Sequence, residues 1–363
     1  MRGMRIARSA RLRSVGFPPL RQRRRFKIMY MFKYIMKRIG LMLMTFCVIM
    51  LMCFVLIKLL PIVVTIQQGQ DAKLIYSQLE ARGYICNVVF DSVNNKWTFD
   101  TVPIMTQLGH YISRIFQGDF GIGVSMAEYR NQPVWDVFME KLPPTILINV
   151  YSTLIGVPIG LGLGIFAALK KNKWQDQVIS VGIILLISVP SIVMGLIIQY
   201  VLCFKLQWFP LTMESGFNYF SWPMFKSMLP AVFSLCLSSI AGYARFTRAE
   251  LTEVLTSEFM LLARTKGLTR KQATMRHALR NAMVPIFPMI LSEFVLVLSG
   301  SLIIERMFSI PGVGRLYLDS ITYQDYDFFM LLSGFYTFVG LLAGIITDIS
   351  YGFIDPRIRM GAK

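Results

Sequence analysis

Charge is scarce in this chain, and negative charge is scarcest. Of 363 residues only 16% are charged, and 20 are Asp or Glu, none of them among the first 27 positions. Soluble domains carry about a quarter charged residues, so a chain this lean, 55% hydrophobic with a mean hydropathy of +0.54, reads as a membrane protein. Histidine is down to two, His110 and His277, and nothing in the sequence places them together. Of five cysteines, Cys47, Cys53, Cys203 and Cys236 lie in apolar runs and read as small buried hydrophobes, which leaves Cys86 alone in a polar segment. Without a CxxC or a Cys/His spacing, neither a zinc site nor a disulfide framework is indicated. Also missing are GxxxxGK[ST], which removes ATP binding through a Walker loop, and HExxH and GxSxG. No nucleophile–base pair stands at bilayer depth, which weighs against an intramembrane hydrolase. The Gly-Val-Gly at 312–314 is a lone turn signal and no dinucleotide site.

What the chain does have is long apolar runs. A helix needs about 20 mostly apolar residues to cross a bilayer, and six stretches qualify, roughly 39–61, 143–168, 178–204, 228–244, 283–304 and 328–350. The fourth is short and runs directly into "YARFTRAEL". Pro and Gly are frequent inside these runs, as in "GVPIGLGLGIFAAL" at 156–169, where small residues permit close packing between helices and neighbours repair the backbone. The expected fold is therefore all-α and polytopic, with six transmembrane helices.

The formal charge of +18 looks like a nucleic-acid footprint until it is mapped. With the N-terminus in the cytoplasm, the segments 1–38, 170–176, 245–280 and 351–363 hold 27 Lys and Arg, and the segments 62–141, 206–227 and 305–327 hold 9. That asymmetry orients a membrane protein with both termini cytoplasmic, and no nucleic-acid partner is expected. Residues 1–38 are a basic cytoplasmic segment whose first 28 residues, too polar for a signal peptide, are expected to be dispensable. Residues 62–141, expected to form a sizeable extracellular segment between the first two spans, carry strand-like patches, "NVVF" and "KWTFD". An amphipathic helix and a Gly-rich turn follow in "VPIMTQLGHYISRIFQGDFGIGVS".

Two features carry chemistry. Glu293 and Asp348 sit at membrane depth, where a carboxylate is costly and is a functional candidate by default; pairing within the bundle is the alternative. Residues 256–281, "TSEFMLLARTKGLTRKQATMRHALRN", interrupt the apolar chain with a basic helical hairpin. Glu258 near the start of "SEFMLLART" and basic residues near its end suit a helix dipole. Gly267 permits the sharp break, Thr269 is placed to cap the second helix, and Ala263 is small enough to let another protein's surface approach.

This hairpin resembles the conserved cytoplasmic loop of binding-protein-dependent ABC importer permeases, which reads EAA, three residues, Gly, nine residues, then I-x-L-P. Aligned on Gly267, Ala263 falls on the last Ala of the triplet and Leu279 on the Leu. Leu261 and Leu262 replace the first two letters, His277 the Ile and Arg280 the Pro, as in the oligopeptide/dipeptide branch. "LPPT" at 142–145, "ERMFSIPGVGRL" at 305–316, "YQDYD" at 323–327, "DPRIR" at 355–359 and the opening "MFKYIMKRIGLMLMTF" extend the resemblance over roughly 31–60 and 142–359. It is to the B-type subunit, a type I permease core at 142–350.

The resemblance implies a transport subunit of the bacterial cell membrane with no cofactor of its own. Its implied partners are a homologous second permease, two cytoplasmic ATPases holding ATP and Mg, and an extracellular binding protein that delivers peptide. Ala263, Arg264, Lys266, Gly267, Arg270, His277 and Leu279 would then form the surface that couples to the ATPases. The rival reading is an ion-coupled peptide carrier using Glu293 and Asp348, and nickel or another small solute remains open as cargo.

Overall fold

The computed structural model describes residues 20–60, 71–92, 96–216 and 218–354. Residues 1–19, most of the stretch expected to be dispensable, and "DPRIR" lie outside them. Two units divide the chain, residues 1–45 and 46–363. The first of these is helical from Leu20 onward, as the start of α1 (Leu20–Leu59). The sequence reading began this helix at 39. It starts earlier because no Gly or Pro interrupts positions 20–39, and Arg, Lys, Met and Ile sustain a helix through the basic stretch.

Within residues 46–363, a small subdomain follows the first span. Helix α2 (Ala72–Ala81) is capped by Asp71, whose carboxylate accepts from the Lys73 N–H at 2.9 Å. Strands β1 (Ile85–Asp91) and β2 (Lys96–Thr101) pair antiparallel with a bulge between Cys86 and Val89, where Asn87 takes φ 55°. Helix α3 (Ile104–Phe116) is the amphipathic helix read from the sequence. Ile75, Tyr76, Leu79, Tyr84 and Ile85 form one core with Phe54 and Ile57 of α1 and Tyr326 and Met330 of the last helix. Lys58 is half-buried there with its Nζ buried, 3.4 Å from the Tyr84 ring centre and 3.5 Å from that of Tyr326. The two aromatic faces favour the cation, and the Asp327 carboxylate is the opposing charge nearby.

The bundle departs from the expected spans at their ends. Helix α4 (Val134–Leu169) begins before 143, because Pro143 and Pro144 lie inside it without ending it. The third span is not one helix: α5 (Trp174–Ser188) and the segment Ser191–Lys205, which opens with α6 (Ser191–Ile198), meet at 101° across Pro190. The residue preceding a proline is pushed out of the helical region, and Val189 is extended at ψ 122°. Helix α7 (Trp222–Leu255) runs unbroken through "YARFTRAEL". Among the described residues five helices are long and apolar enough to cross a membrane, and six if the bent pair counts as one.

A seam of glycines joins α4 to α7. Gly156, Gly160 and Gly164 recur every fourth residue on one helix face; a Cβ at Gly160 would lie 2.7 Å from Tyr243 Cβ and 2.9 Å from the Ile240 carbonyl. In a bilayer, where apolar burial supplies little drive between helices, such close backbone approach provides the packing.

Helix α8 (Glu258–Thr265) and the short α9 (Arg270–Ala273) form the hairpin. A π-helical turn over Thr274–Ala278 then leads into α10 (Leu279–Leu296). The fifth span breaks at Gly300, φ 65°, and resumes as α11 (Leu302–Met307); α12 (Val313–Thr322) and α13 (Tyr326–Ile354) complete the chain.

Candidate coupling hairpin and intramembrane cleft

The hairpin is built by local chemistry. Helix α8 ends with the Lys266 N–H on the Leu262 carbonyl at 3.1 Å, and the chain turns at Gly267, φ 90°. Nothing lies within 4 Å of a Cβ built there, so Gly267 serves backbone conformation and not close packing. Thr269 and Gln272 form a full capping box: the Thr269 hydroxyl accepts from the Gln272 N–H at 3.3 Å, and the Gln272 side chain accepts from the Thr269 N–H at 3.1 Å.

The structure divides the residues expected to form one surface into two sets. Arg264, Lys266, Arg270 and His277 are exposed. Ala263 is not available to a partner: it is 9% exposed and packs with Ala168, Leu251, Met260, Ala273, Ala278 and Ala282, and Leu279 is half-buried against the same cluster. Ala263 is small because the hairpin lies flat on the permease's own helices. Beside the charged residues the hairpin also exposes apolar ones: Phe259, Leu261, Leu262 and Met275 are 41%, 61%, 56% and 61% exposed. In the sequence Leu261 and Leu262 read only as departures from a motif. The available clue was helical spacing, which turns Leu261 to the face away from Ala263 and Leu262 to its flank.

The remaining motifs meet in space. Glu305, the first residue of "ERMFSIPGVGRL", is 2% exposed, and its carboxylate accepts from the Gly314 N–H at 2.8 Å and the Ser301 N–H at 3.3 Å. Thr145 of "LPPT" accepts from the Val313 N–H at 2.9 Å beside it. A Cβ at Gly300, Gly312 or Gly314 would collide with Glu305. Gly312 and Gly314 are thus a close-packed nest for a carboxylate, which corrects their reading as a simple turn.

"YQDYD" fastens the 71–130 segment to α13. The Asp325 carboxylate accepts from the backbone N–H groups of Val124, Ser125 and Met126 at 2.8, 2.8 and 3.3 Å. Burial pushes the Asp325 carboxyl up to about 6, the neighbouring Asp327 adds to the shift, and those three donors oppose it. Asp327 accepts from the Tyr84 hydroxyl and from the Ile122 N–H.

At membrane depth, Glu293 of α10 opens onto a cleft of about 380 Å³ lined by Ser239, Gly242, Tyr243, Met289, Ser292, Glu293 and Thr347, from α7, α10 and α13. Its carboxylate accepts from the Ser239 hydroxyl at 3.1 Å. Asp348 is half-buried and does not line this cleft, so the two acids proposed to act together are not brought to one site. Among the described residues no group of three or more His, Cys, Asp or Glu could hold a metal ion.

A crystal structure of an amino acid ABC transporter with histidines superposes with a TM-score of 0.48 at 20% identity, covering 60% of this chain and 94% of that one. The dipeptide transport system permease protein DppB of Lactococcus lactis subsp. cremoris (strain MG1363) is 32% identical over 330 residues, 91% of this chain and 100% of its own length. The glutathione transport system permease protein GsiC of Escherichia coli (strain K12) is 30% identical over 330 residues, 91% and 99% of the two. Residues 160–360 match the family described as binding-protein-dependent transport system inner membrane component. The chain belongs to that family, and it is a multi-pass membrane permease subunit of a binding-protein-dependent ABC importer, a transport protein and not an enzyme.

Proposed function

We propose that this permease imports peptides, paired with a homologous second permease, and that the 256–281 hairpin couples it to two cytoplasmic ATPases that carry ATP and Mg. An external binding protein delivers the cargo, both termini are cytoplasmic, and the 142–350 core forms half of the translocation path. The observation that carries this reading is the hairpin itself. A capping box fixes the start of its second helix, a positive-φ glycine permits the turn, Ala263 ties it to the bundle, and it presents Leu261, Leu262 and Met275 beside Arg264, Lys266 and Arg270. Burying a leucine against a partner contributes about 1.5–3 kcal/mol, enough for two of them to anchor a docked ATPase. Closing of the ATPase dimer then shifts a two-state permease by its preference for one state. Peptide as cargo is supported by the dipeptide and glutathione systems in which the relatives are named.

The test is uptake of labelled dialanine into proteoliposomes holding the full transporter and its binding protein. Uptake is expected to stop with vanadate and to survive a protonophore. The reverse pattern would replace this reading with the ion-coupled carrier. Leu261→Asp with Leu262→Asp is expected to abolish co-purification of the ATPases while the permease still inserts.

A further inference from the structure

An ionised carboxylate within a spanning helix is costly and ordinarily acquires a cation. Glu293 has not: among the described residues no ion pair involves it, and its one recorded partner is the neutral Ser239 hydroxyl. Nor is it walled in, because it borders the open cleft described above.

Of the cleft's four hydroxyls, those of Ser239, Tyr243 and Thr347 are already committed as donors, and Ser292 supplies the fourth. Ser239 gives its proton to Glu293, Tyr243 gives its proton to the Met289 carbonyl at 3.3 Å, and Thr347 gives its proton to the Ala343 carbonyl at 2.8 Å. What these three hydroxyls have left are oxygen lone pairs, so with the carboxylate they set a few acceptors into an otherwise mostly apolar lining. With one carboxylate, three spent hydroxyls and no cation, such a lining suits a group that carries positive charge and several N–H donors at once. The volume of about 380 Å³ exceeds what an ammonium group alone occupies and falls within the range of small-molecule sites.

We propose that the Glu293 cleft is a station on the translocation path that binds the ammonium group of the cargo, which for a peptide is its free amino terminus. This rests on the permease reading above and deepens it. Glu293 supplies the charge, and Ser239 positions its carboxylate. Gly242 keeps the cleft open: nothing lies within 4 Å of a Cβ built there, so a larger side chain would fill the cleft without disturbing the packing of α7.

The experiment uses the reconstituted full transporter and labelled dialanine. Glu293→Gln keeps the size of the side chain and can still accept from Ser239, but it loses the charge; Glu293→Asp keeps the charge on a shorter arm. Under the proposal Glu293→Gln lowers uptake at least tenfold, Glu293→Asp stays within about threefold of wild type, and Gly242→Leu falls with Glu293→Gln. ATPase co-purification and vanadate-sensitive hydrolysis stimulated by loaded binding protein persist in all three, so the peptide carried per ATP drops. A purely structural role for Glu293 predicts the opposite order, with Gln tolerated and Asp impaired, and that result overturns the proposal. Equal loss in Gln and Asp overturns it as well. Normal uptake by Glu293→Gln with vanadate block intact would remove the cleft assignment and leave the permease reading standing. Vanadate-resistant uptake in wild type would remove the permease reading, and the Gln/Asp contrast would still report whether the cleft needs a charge.

Discussion

Gly267 offers the sharpest perturbation, because the structure separates its backbone role from any packing role. Its φ of 90° lies where an L side chain is strained, yet a Cβ there would meet nothing within 4 Å. A substitution therefore costs backbone strain alone, about 1–2 kcal/mol for an ordinary residue. Asn tolerates this region better than most residues, and a β-branched side chain tolerates it worst. The turn is held by the Gly267 N–H on the Arg264 carbonyl at 3.0 Å and the Leu268 N–H on the Ala263 carbonyl at 3.3 Å, so strain is relieved by loosening the end of α8 that carries Leu261 and Leu262. If that strain is paid when the ATPase docks, 1.4 kcal/mol is tenfold in affinity. The series Gly267→Asn, Gly267→Ala and Gly267→Val is expected to weaken ATPase co-purification progressively, with Val near tenfold. Stimulation of ATP hydrolysis by loaded binding protein should fall in the same order, while membrane insertion is unchanged. Wild-type docking and stimulation in Gly267→Val would refute the coupling role. Equal losses in Asn and Val would show that the partner packs against this position, contrary to the strain argument.

Three further outcomes are expected. Gly160→Leu drives a side chain into Tyr243 and the Ile240 carbonyl and should cost at least about 1–3 kcal/mol, seen as a lower unfolding temperature in detergent; Gly162→Leu, with nothing within 4 Å of its Cβ, is the neutral control. Asp325 has its carboxyl raised by burial to about 6, above the unfolded value of about 3.9. Its contribution to stability is therefore complete below the unfolded value and is lost as pH rises through about 6. Limited proteolysis of the 71–130 segment should accelerate between pH 5 and pH 7 in wild type, and Asp325→Asn should flatten that dependence. A reporter fused after Lys173 or Thr269 should be cytoplasmic and one near Val93 or Gly216 external; the opposite labelling would overturn the orientation drawn from the Lys and Arg asymmetry.

Much of this protein is written locally. The apolar runs announce the spans because bilayer thickness fixes their length, whatever the helices pack against. The β1–β2 pair, amphipathic α3, the Thr269 cap and the Gly267 break depend on residues close in sequence, so pattern alone discloses them. Tertiary structure decided what depends on distant partners. Pro143 and Pro144 stay helical while Pro190 bends its span, and pattern does not distinguish the two cases. Ala263 turns inward because Ala168 and Leu251 are there to receive it, which moves the outward face to Leu261 and Leu262. Glu305 finds Gly314 nearby but shares its nest with Thr145, far earlier in the chain, and Asp325 reaches back to Val124 across 201 positions. The cleft of Glu293 draws its lining from three helices that only their packing brings together. Hydropathy and helical period are properties of a segment, whereas a buried carboxylate's partners are properties of the assembled fold.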